Sequence, residues 1–161
     1  MPLAGFHAVF TIIILASIRK FLKIKFSNKM LLFGGILGLL PDLDIPLALA
    51  LNWIFGTNVY FHKIYANALV IPLALFAIAI VLKYKNHEKS AVFVLLSSVS
   101  YFVHILLDCF FSRGLTANII PGGEMLSVCR NIASKETLIY ADAIFIGVFL
   151  LYLAYKAPKD E

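Results

Sequence analysis

The sequence predicts an all-α membrane protein, a polytopic bundle of about five transmembrane helices in which the second helix is broken. Hydrophobic residues make up 61% of the 161 residues and charged residues only 14%, with a mean hydropathy of +0.92. Soluble domains carry roughly 25% charged residues. Five apolar segments near the ~20 residues that cross a bilayer account for most of the chain. We therefore expect one transmembrane domain over residues 1–161.

The five segments are separated by polar connections. Arg19 and Lys20 follow the first segment instead of preceding it, and no cleavage site follows, so we interpret it as a retained helix. The second segment contains Pro41 and Pro46, which predict a break in the helix and an extended backbone at Ile45. In chain order the segments are Leu3–Ile18, Met30–Phe55, Ile64–Leu82, Ala91–Phe111 and Leu138–Tyr155, with a long turn-rich connection at Ser112–Thr137.

The placement of lysine and arginine predicts the orientation. Basic residues concentrate in the connection Arg19–Lys29, around Lys83–Lys89 and in the C-terminal tail. Five crossings then place the N-terminus outside and the C-terminus in the cytoplasm. A re-entrant hairpin in the second segment would leave Lys83–Lys89 outside, so we favour a true crossing. This distribution also explains the net charge of +5 without a nucleic-acid partner, and the bilayer is the expected surrounding.

Acidic residues and histidines inside apolar segments are the unusual feature of the chain. An ionised carboxylate within a bilayer costs several kcal/mol unless it is paired or hydrated. Asp42 and Asp44 lie in the Pro41–Asp44 turn, which could unwind and aim both carboxylates inward. His104 and Asp108 are four residues apart and share one helix face. The predicted topology places all of these on the outer side, together with His7 and His62.

Imidazole and carboxylate together form a ligand set that suits zinc, manganese or iron, whereas magnesium and calcium prefer oxygen. We predict a divalent metal centre, with zinc or manganese favoured. Its ligands come from the set His7, Asp42, Asp44, His62, His104 and Asp108. The alternatives are a hydrogen-bonded His104–Asp108 pair, helix N-caps at the two turn carboxylates, and interfacial roles for the remaining histidines.

Glycines and cysteines admit simpler interpretations. Gly34, Gly35 and Gly38 have the small-residue spacing of close helix packing, and no Lys-Ser/Thr pair follows to form a phosphate loop. Formation of a homo-oligomer through this glycine face is an open alternative. Cys109 and Cys129 lack metal-binding spacing, so we expect them to pack in the core without forming a disulfide.

Four motifs occur in order along the chain. They are the early His7, the stretch from Gly35 to Asp44 that reads GILGLLPDLD, the pair His62-Lys63, and the HxxxD pair of His104 and Asp108. In this order, from His7 to about Pro121, the chain resembles the LexA-regulated, membrane-bound, metal-dependent hydrolase family. The resemblance implies a membrane-embedded, metal-binding hydrolase. Where that family continues H-R-x-x-T-H-S, this chain has Lys63 for the arginine and Asn67 for the second histidine.

The leading hypothesis is a metal-dependent hydrolase acting on a lipid-linked or phosphoester substrate at the outer membrane interface. We expect Asp44 to act as the general base and Lys63 to steer an anionic substrate. The chain has no HExxH, GxSxG or Ser/Lys dyad, which argues against zincin, α/β-hydrolase and rhomboid-like chemistry. Asn67 keeps two alternatives open: a non-catalytic metal-binding or ion-handling protein, and a structural subunit whose carboxylates pair with a partner's cations.

Overall fold

The computed structural model describes residues 4–56, 68–111 and 135–156, and these residues are helical almost throughout. The predicted all-α class is confirmed. The helices are α1 (Ala4–Phe21), α2 (Asn28–Leu37), a short 3-10 helix (Leu40–Leu43), α3 (Asp44–Phe55), α4 (Val70–Tyr84), α5 (Glu88–Phe111) and α6 (Lys135–Lys156).

Helix length and apolarity identify few complete crossings in the described part of the chain. There, α5 alone is long and apolar enough to cross a membrane by itself, and α2 with α3 would add a second span if the pair is one bent crossing. Helix α4 has 15 residues and measures about 22 Å, which is shorter than the ~30 Å hydrocarbon core. The five crossings remain a prediction.

The second apolar segment is broken, as predicted, and the break has a defined geometry. Helix α2 begins at the N-cap Ser27, whose hydroxyl accepts a hydrogen bond from Met30 N–H at 3.2 Å. After Gly38 the chain forms the 3-10 helix, and α2 and α3 meet at an angle of 44°. The turn is therefore a tight helical one, and its backbone is not unwound.

One expectation and one alternative for this break were wrong. Ile45 is helical instead of extended, because Pro46 is the third residue of α3, where a missing N–H costs no intrahelical hydrogen bond. The N-cap of α3 is Leu43, without a side-chain cap, so neither Asp42 nor Asp44 occupies the N-cap position. Of the Asp44 side chain nothing is described.

Helix α1 packs against α2, α5 and α6. The glycine face of α2 approaches α1 closely, which confirms the packing interpretation: a Cβ added at Gly35 would lie 2.6 Å from Ile12 Cγ1, and one at Gly38 would lie 2.7 Å from Thr11 Oγ1. On the opposite side, Phe6 of α1 packs with Val103 and Leu107 of α5 in the apolar core.

A side chain of helix α6 caps the N-terminal end of helix α1. The buried Asp142 carboxylate accepts a hydrogen bond from the backbone N–H of Phe6, the third residue of α1. The first N–H groups of a helix lack intrahelical acceptors and carry the positive end of the helix dipole, so a carboxylate there is stabilising. Asp142 thus fixes the end of α1 that carries His7.

Cys109 forms a disulfide, so the prediction that it only packs in the core was wrong. It lies near the C-terminal end of α5, directly after Asp108. The one other cysteine of the sequence, Cys129, is outside the described residues. Disulfides persist in oxidising compartments, and the sequence spacing of the cysteines gave no sign of this constraint.

Candidate metal centre

Three separate elements bring the polar side chains together. Helix α1 supplies His7, the 3-10 helix supplies Asp42, and α5 supplies His104 and Asp108. The two α5 residues are one turn apart and therefore point from the same face. The break after α2 brings the carboxylate of Asp42 beside that face, which a continuous helix through residues 28–55 would not have ensured.

The Asp108 carboxylate faces the Nε2 edges of both imidazoles. Its Oδ1 is 3.5 Å from His7 Nε2, and its Oδ2 is 3.5 Å from His104 Nε2. Asp42 Oδ1 approaches His104 Nε2 at 3.8 Å. The two imidazole rings stack with a centroid distance of 4.3 Å and an interplanar angle of 30°. Four side chains thus form one contiguous polar cluster, which we call the His/Asp cluster.

The cluster is buried in an apolar bundle. His7 and His104 are fully buried, Asp108 is 1% exposed, and the side chain of Asp42 is 18% exposed. Burying carboxylates costs several kcal/mol per charge unless cations or hydrogen bonds compensate. A bound metal ion in the cluster would offset this cost.

The backbone fixes the tautomer of His104. Its Nδ1 lies 2.8 Å from the carbonyl oxygen of Gly38. A carbonyl only accepts hydrogen bonds, so Nδ1 carries the proton, and in the neutral ring Nε2 presents its lone pair toward the Asp42 and Asp108 oxygens. Metal-binding histidines are commonly oriented by such a hydrogen bond from the other ring nitrogen. His104 is held in the orientation that a metal ligand requires.

His7 and Thr11 add buried polar atoms one turn apart on α1. Within the described residues neither ring nitrogen of His7 has a hydrogen-bond partner, and neither does the hydroxyl of Thr11. A buried polar group without a partner costs about 1–3 kcal/mol. A cation in the His/Asp cluster would give one of the two His7 nitrogens a partner, which fits a metal site.

The spacing of the donor atoms also fits an ion. One donor atom from each of His7, Asp42 and His104 lies within 4.8 Å of the other two. Donors that share one tetrahedral zinc ion lie about 3.5 Å apart. The side chains would therefore have to move together by up to about 1 Å, and this trio could then hold a divalent metal ion.

The structure places four of the six predicted ligands in the His/Asp cluster. Of the others, Asp44 begins α3 two residues after Asp42, and His62 lies outside the described residues, as do Lys63 and Asn67. The remaining histidine, His87, lies in the turn between α4 and α5, at the other end of the bundle. Sequence reasoning missed Thr11 and the Gly38 carbonyl. Thr11 could have been found from its spacing, since it follows His7 by four residues and so shares its helix face. Nothing in the sequence indicated the role of the Gly38 carbonyl.

Comparison with known proteins assigns the chain to a family but identifies no individual relative. No curated protein and no solved structure matches it significantly. A family model, that of the YdjM inner membrane protein, matches residues 1–160. This match covers almost the whole chain, and it agrees with the membrane class that the composition predicts. The chain belongs to the YdjM inner membrane protein family.

Proposed function

We propose that this membrane protein is a metal-dependent hydrolase acting on a lipid-linked or phosphoester substrate at the membrane interface. The observation that supports it is the buried His/Asp cluster, in which imidazoles and carboxylates from three elements face one another. The proposal also rests on the resemblance of the sequence motifs to a metal-dependent hydrolase family.

His7, Asp42 and His104 would hold the metal, and Asp108, which faces the Nε2 atoms of both imidazoles, would neutralise part of its charge. The mixed nitrogen and oxygen donors favour zinc or manganese. When bound, such an ion supplies Lewis acidity, which polarises a scissile phosphoryl or carbonyl group and lowers the pKa of water.

The protein's own residues would divide the remaining work. Asp42 is the most exposed member of the cluster, so a substrate would approach beside it. The Gly38 carbonyl keeps Nδ1 of His104 protonated and the ring in place. We propose Asp44 as the general base, since it follows Asp42 by two residues, and Lys63 as the cation that attracts the substrate.

We further propose that the chain crosses the membrane several times, with the N-terminus and the His/Asp cluster on the outer side. The lysine-rich connections favour this orientation. The disulfide at Cys109, next to Asp108, favours it independently, because the outside of an inner membrane is oxidising and the cytoplasm is reducing. A C-terminal green fluorescent protein fusion should then fluoresce, and a C-terminal alkaline phosphatase fusion should be inactive. The reverse pattern would contradict the orientation.

A non-catalytic metal-binding protein is the second candidate, and burial favours it. His7, His104 and Asp108 are almost completely enclosed, and closed sites are typical of structural metal ions, whereas catalytic sites keep an open position. Asn67 stands where the metal-dependent hydrolase family that the motifs resemble has its second histidine, and this replacement also favours a non-catalytic protein. If the chain is instead a structural subunit, the purified protein should contain no stoichiometric metal.

Metal analysis combined with a turnover assay tests these proposals. Protein purified in detergent should contain stoichiometric zinc or manganese, His104→Ala should lose it, and His87→Ala, the matched exposed-histidine control, should retain it. Hydrolysis of phospholipid or of a generic phosphodiester should be lost in His104→Ala and retained in His87→Ala. Metal without turnover would favour the non-catalytic candidate. Full metal content and turnover in an Asp42→Ala/His104→Ala double variant would refute both metal proposals.

A further inference from the structure

A second site lies at the end of the bundle opposite to the His/Asp cluster. A cavity of about 400 Å³ opens between α4, α5 and the connection from α1 to α2. Lys25, Lys83 and Glu88 line its mouth, and Phe76, Val92 and Leu95 are among its apolar wall residues. We call this cavity the slot.

The lining of the slot changes from charged to apolar along the helices. Lys83 and Glu88 lie at the adjoining ends of α4 and α5. Phe76 precedes Lys83 by seven residues, and Leu95 follows Glu88 by seven. Seven residues of helix correspond to about 10 Å, so the apolar wall extends two helical turns inward from the charged mouth.

The mouth has an excess of positive charge. No ion pair of the described residues involves Lys25 or Lys83, and Glu88 is the one acidic residue that lines the slot. An adjoining concavity of about 610 Å³ shares Lys25 and is lined by Arg19, Lys20 and Lys23. The electrostatic potential of this region therefore favours an anion.

The basic connection is held in place on the bundle and carries exposed apolar side chains. Arg19 donates a hydrogen bond to Asn28 Oδ1 at 2.8 Å and lies 5.6 Å from the centre of the Phe26 ring. Phe21 and Leu22, between the basic residues, are 78% and 66% exposed. Basic residues interleaved with exposed apolar ones suit the headgroup region of a bilayer.

From these observations we infer that the slot binds an anionic phospholipid, with its phosphate at Lys25 and Lys83 and an acyl chain against Phe76, Val92 and Leu95. A phospholipid joins an anionic group to an apolar chain in the same order as the slot does. Basic pockets between membrane helices are known to accept such headgroups.

This site is separate from the His/Asp cluster. Glu88 and His104 are sixteen residues apart on α5, a distance of about 24 Å along the helix. In the proposed orientation the slot lies at the cytoplasmic leaflet, and it does not serve the proposed hydrolysis. It does not depend on the metal proposal.

Native mass spectrometry of the full chain in detergent tests the inference. We expect one retained molecule of dioleoylphosphatidylglycerol and much weaker retention of dioleoylphosphatidylcholine. Lys25→Gln/Lys83→Gln should weaken the anionic lipid about fivefold for each lysine, or roughly 30-fold for both. Lys85→Gln/Lys89→Gln is the matched control, since it removes the same charge at the same end without altering the slot lining, and its affinity should stay within about twofold of wild type.

A second variant tests the apolar wall. Val92→Trp should fill the slot and weaken the lipid while leaving helical content unchanged by circular dichroism, and inorganic phosphate at the lipid's concentration should not displace it. Equal retention of the two lipids would overturn the inference, as would equal losses in both lysine pairs. A change of oligomeric state in Val92→Trp with unchanged lipid binding would show that a second copy of the chain occupies the slot, and this too would overturn it.

Discussion

Substitution of Gly38 by alanine is the sharpest test of how helix packing supports the His/Asp cluster. Gly38 has ordinary right-handed helical geometry, with φ −64° and ψ −13°, so alanine meets no conformational barrier there. The obstacle is space: the new Cβ would lie 2.7 Å from Thr11 Oγ1 and 3.2 Å from the Gly35 carbonyl oxygen. Thr11 is fully buried and has little room to move.

The expected magnitude has two parts. Overpacking a buried contact costs about 1–3 kcal/mol, which for a chain of this length corresponds to a fall in melting temperature of roughly 2–10 °C. Displacement of the Gly38 carbonyl also loosens the hydrogen bond that orients His104. Loss of such support for a metal-binding histidine typically lowers metal affinity by about 10- to 100-fold.

Thermal unfolding in detergent and competition with a chelator of known affinity measure the two effects. Gly147→Ala is the matched control, because a Cβ at that helical glycine meets nothing within 4 Å. The control should be neutral or slightly stabilising, by up to about 1 kcal/mol. Thr11→Ala, combined with Gly38→Ala, should recover part of the lost stability because it removes the hydroxyl that the new Cβ would contact.

Equal melting temperatures for Gly38→Ala and Gly147→Ala would refute the packing argument. Strictly additive effects of Gly38→Ala and Thr11→Ala would also count against it, since contacting residues normally show a coupling energy of about 0.5–3 kcal/mol. A destabilised Gly38→Ala variant with unchanged metal affinity would retain the packing account but remove the role of the Gly38 carbonyl in orienting His104.

Three further predictions concern the same region. Asp108→Asn keeps the side-chain volume but removes the negative charge that faces the Nε2 atoms of both imidazoles. Chelator competition should then show metal affinity reduced by about 10- to 100-fold, and wild-type affinity would contradict the proposed role of Asp108. Asp142→Ala removes the cap on α1 and should lower the unfolding free energy by about 0.5–2 kcal/mol with unchanged metal content by elemental analysis; loss of metal would mean that the cap is required to hold His7 in the centre. EDTA should lower the melting temperature of the metal-loaded wild type and leave that of His104→Ala unchanged. The stability lost by the wild type should be about 2.7 kcal/mol if the free metal concentration had been 100 times the Kd. An equal shift in both proteins would mean that the chelator acts at another site.

Much of the fold followed from local properties of the chain. Apolar runs predicted the helical segments, since each needs to bury or expose to lipid a continuous apolar surface. Two prolines predicted the break between α2 and α3, although they did not predict its 3-10 geometry. Proline at the third position of a helix is compatible with helical geometry, and this is why Ile45 is not extended.

The candidate site was predictable in its residue types and less so in its arrangement. Periodicity places His104 and Asp108 on one face of α5, and the predicted topology groups them with His7 and Asp42. Sequence gives no measure of which face of α1 opposes α5, so Thr11 and the Gly38 carbonyl went unnoticed. The contacts that define their roles span up to 66 residues of chain.

The sequence alone determined that this is a helical membrane protein with acidic and imidazole groups inside apolar segments, because composition and helical period are properties of the chain itself. Tertiary structure decided that the Asp108 carboxylate faces the Nε2 atoms of two stacked imidazoles, that Asp142 caps α1 and that Cys109 is disulfide-bonded. Each of these depends on which helices pack together. Packing is fixed by the joint fit of several surfaces, such as the glycine face of α2 on α1, and no single segment encodes that fit.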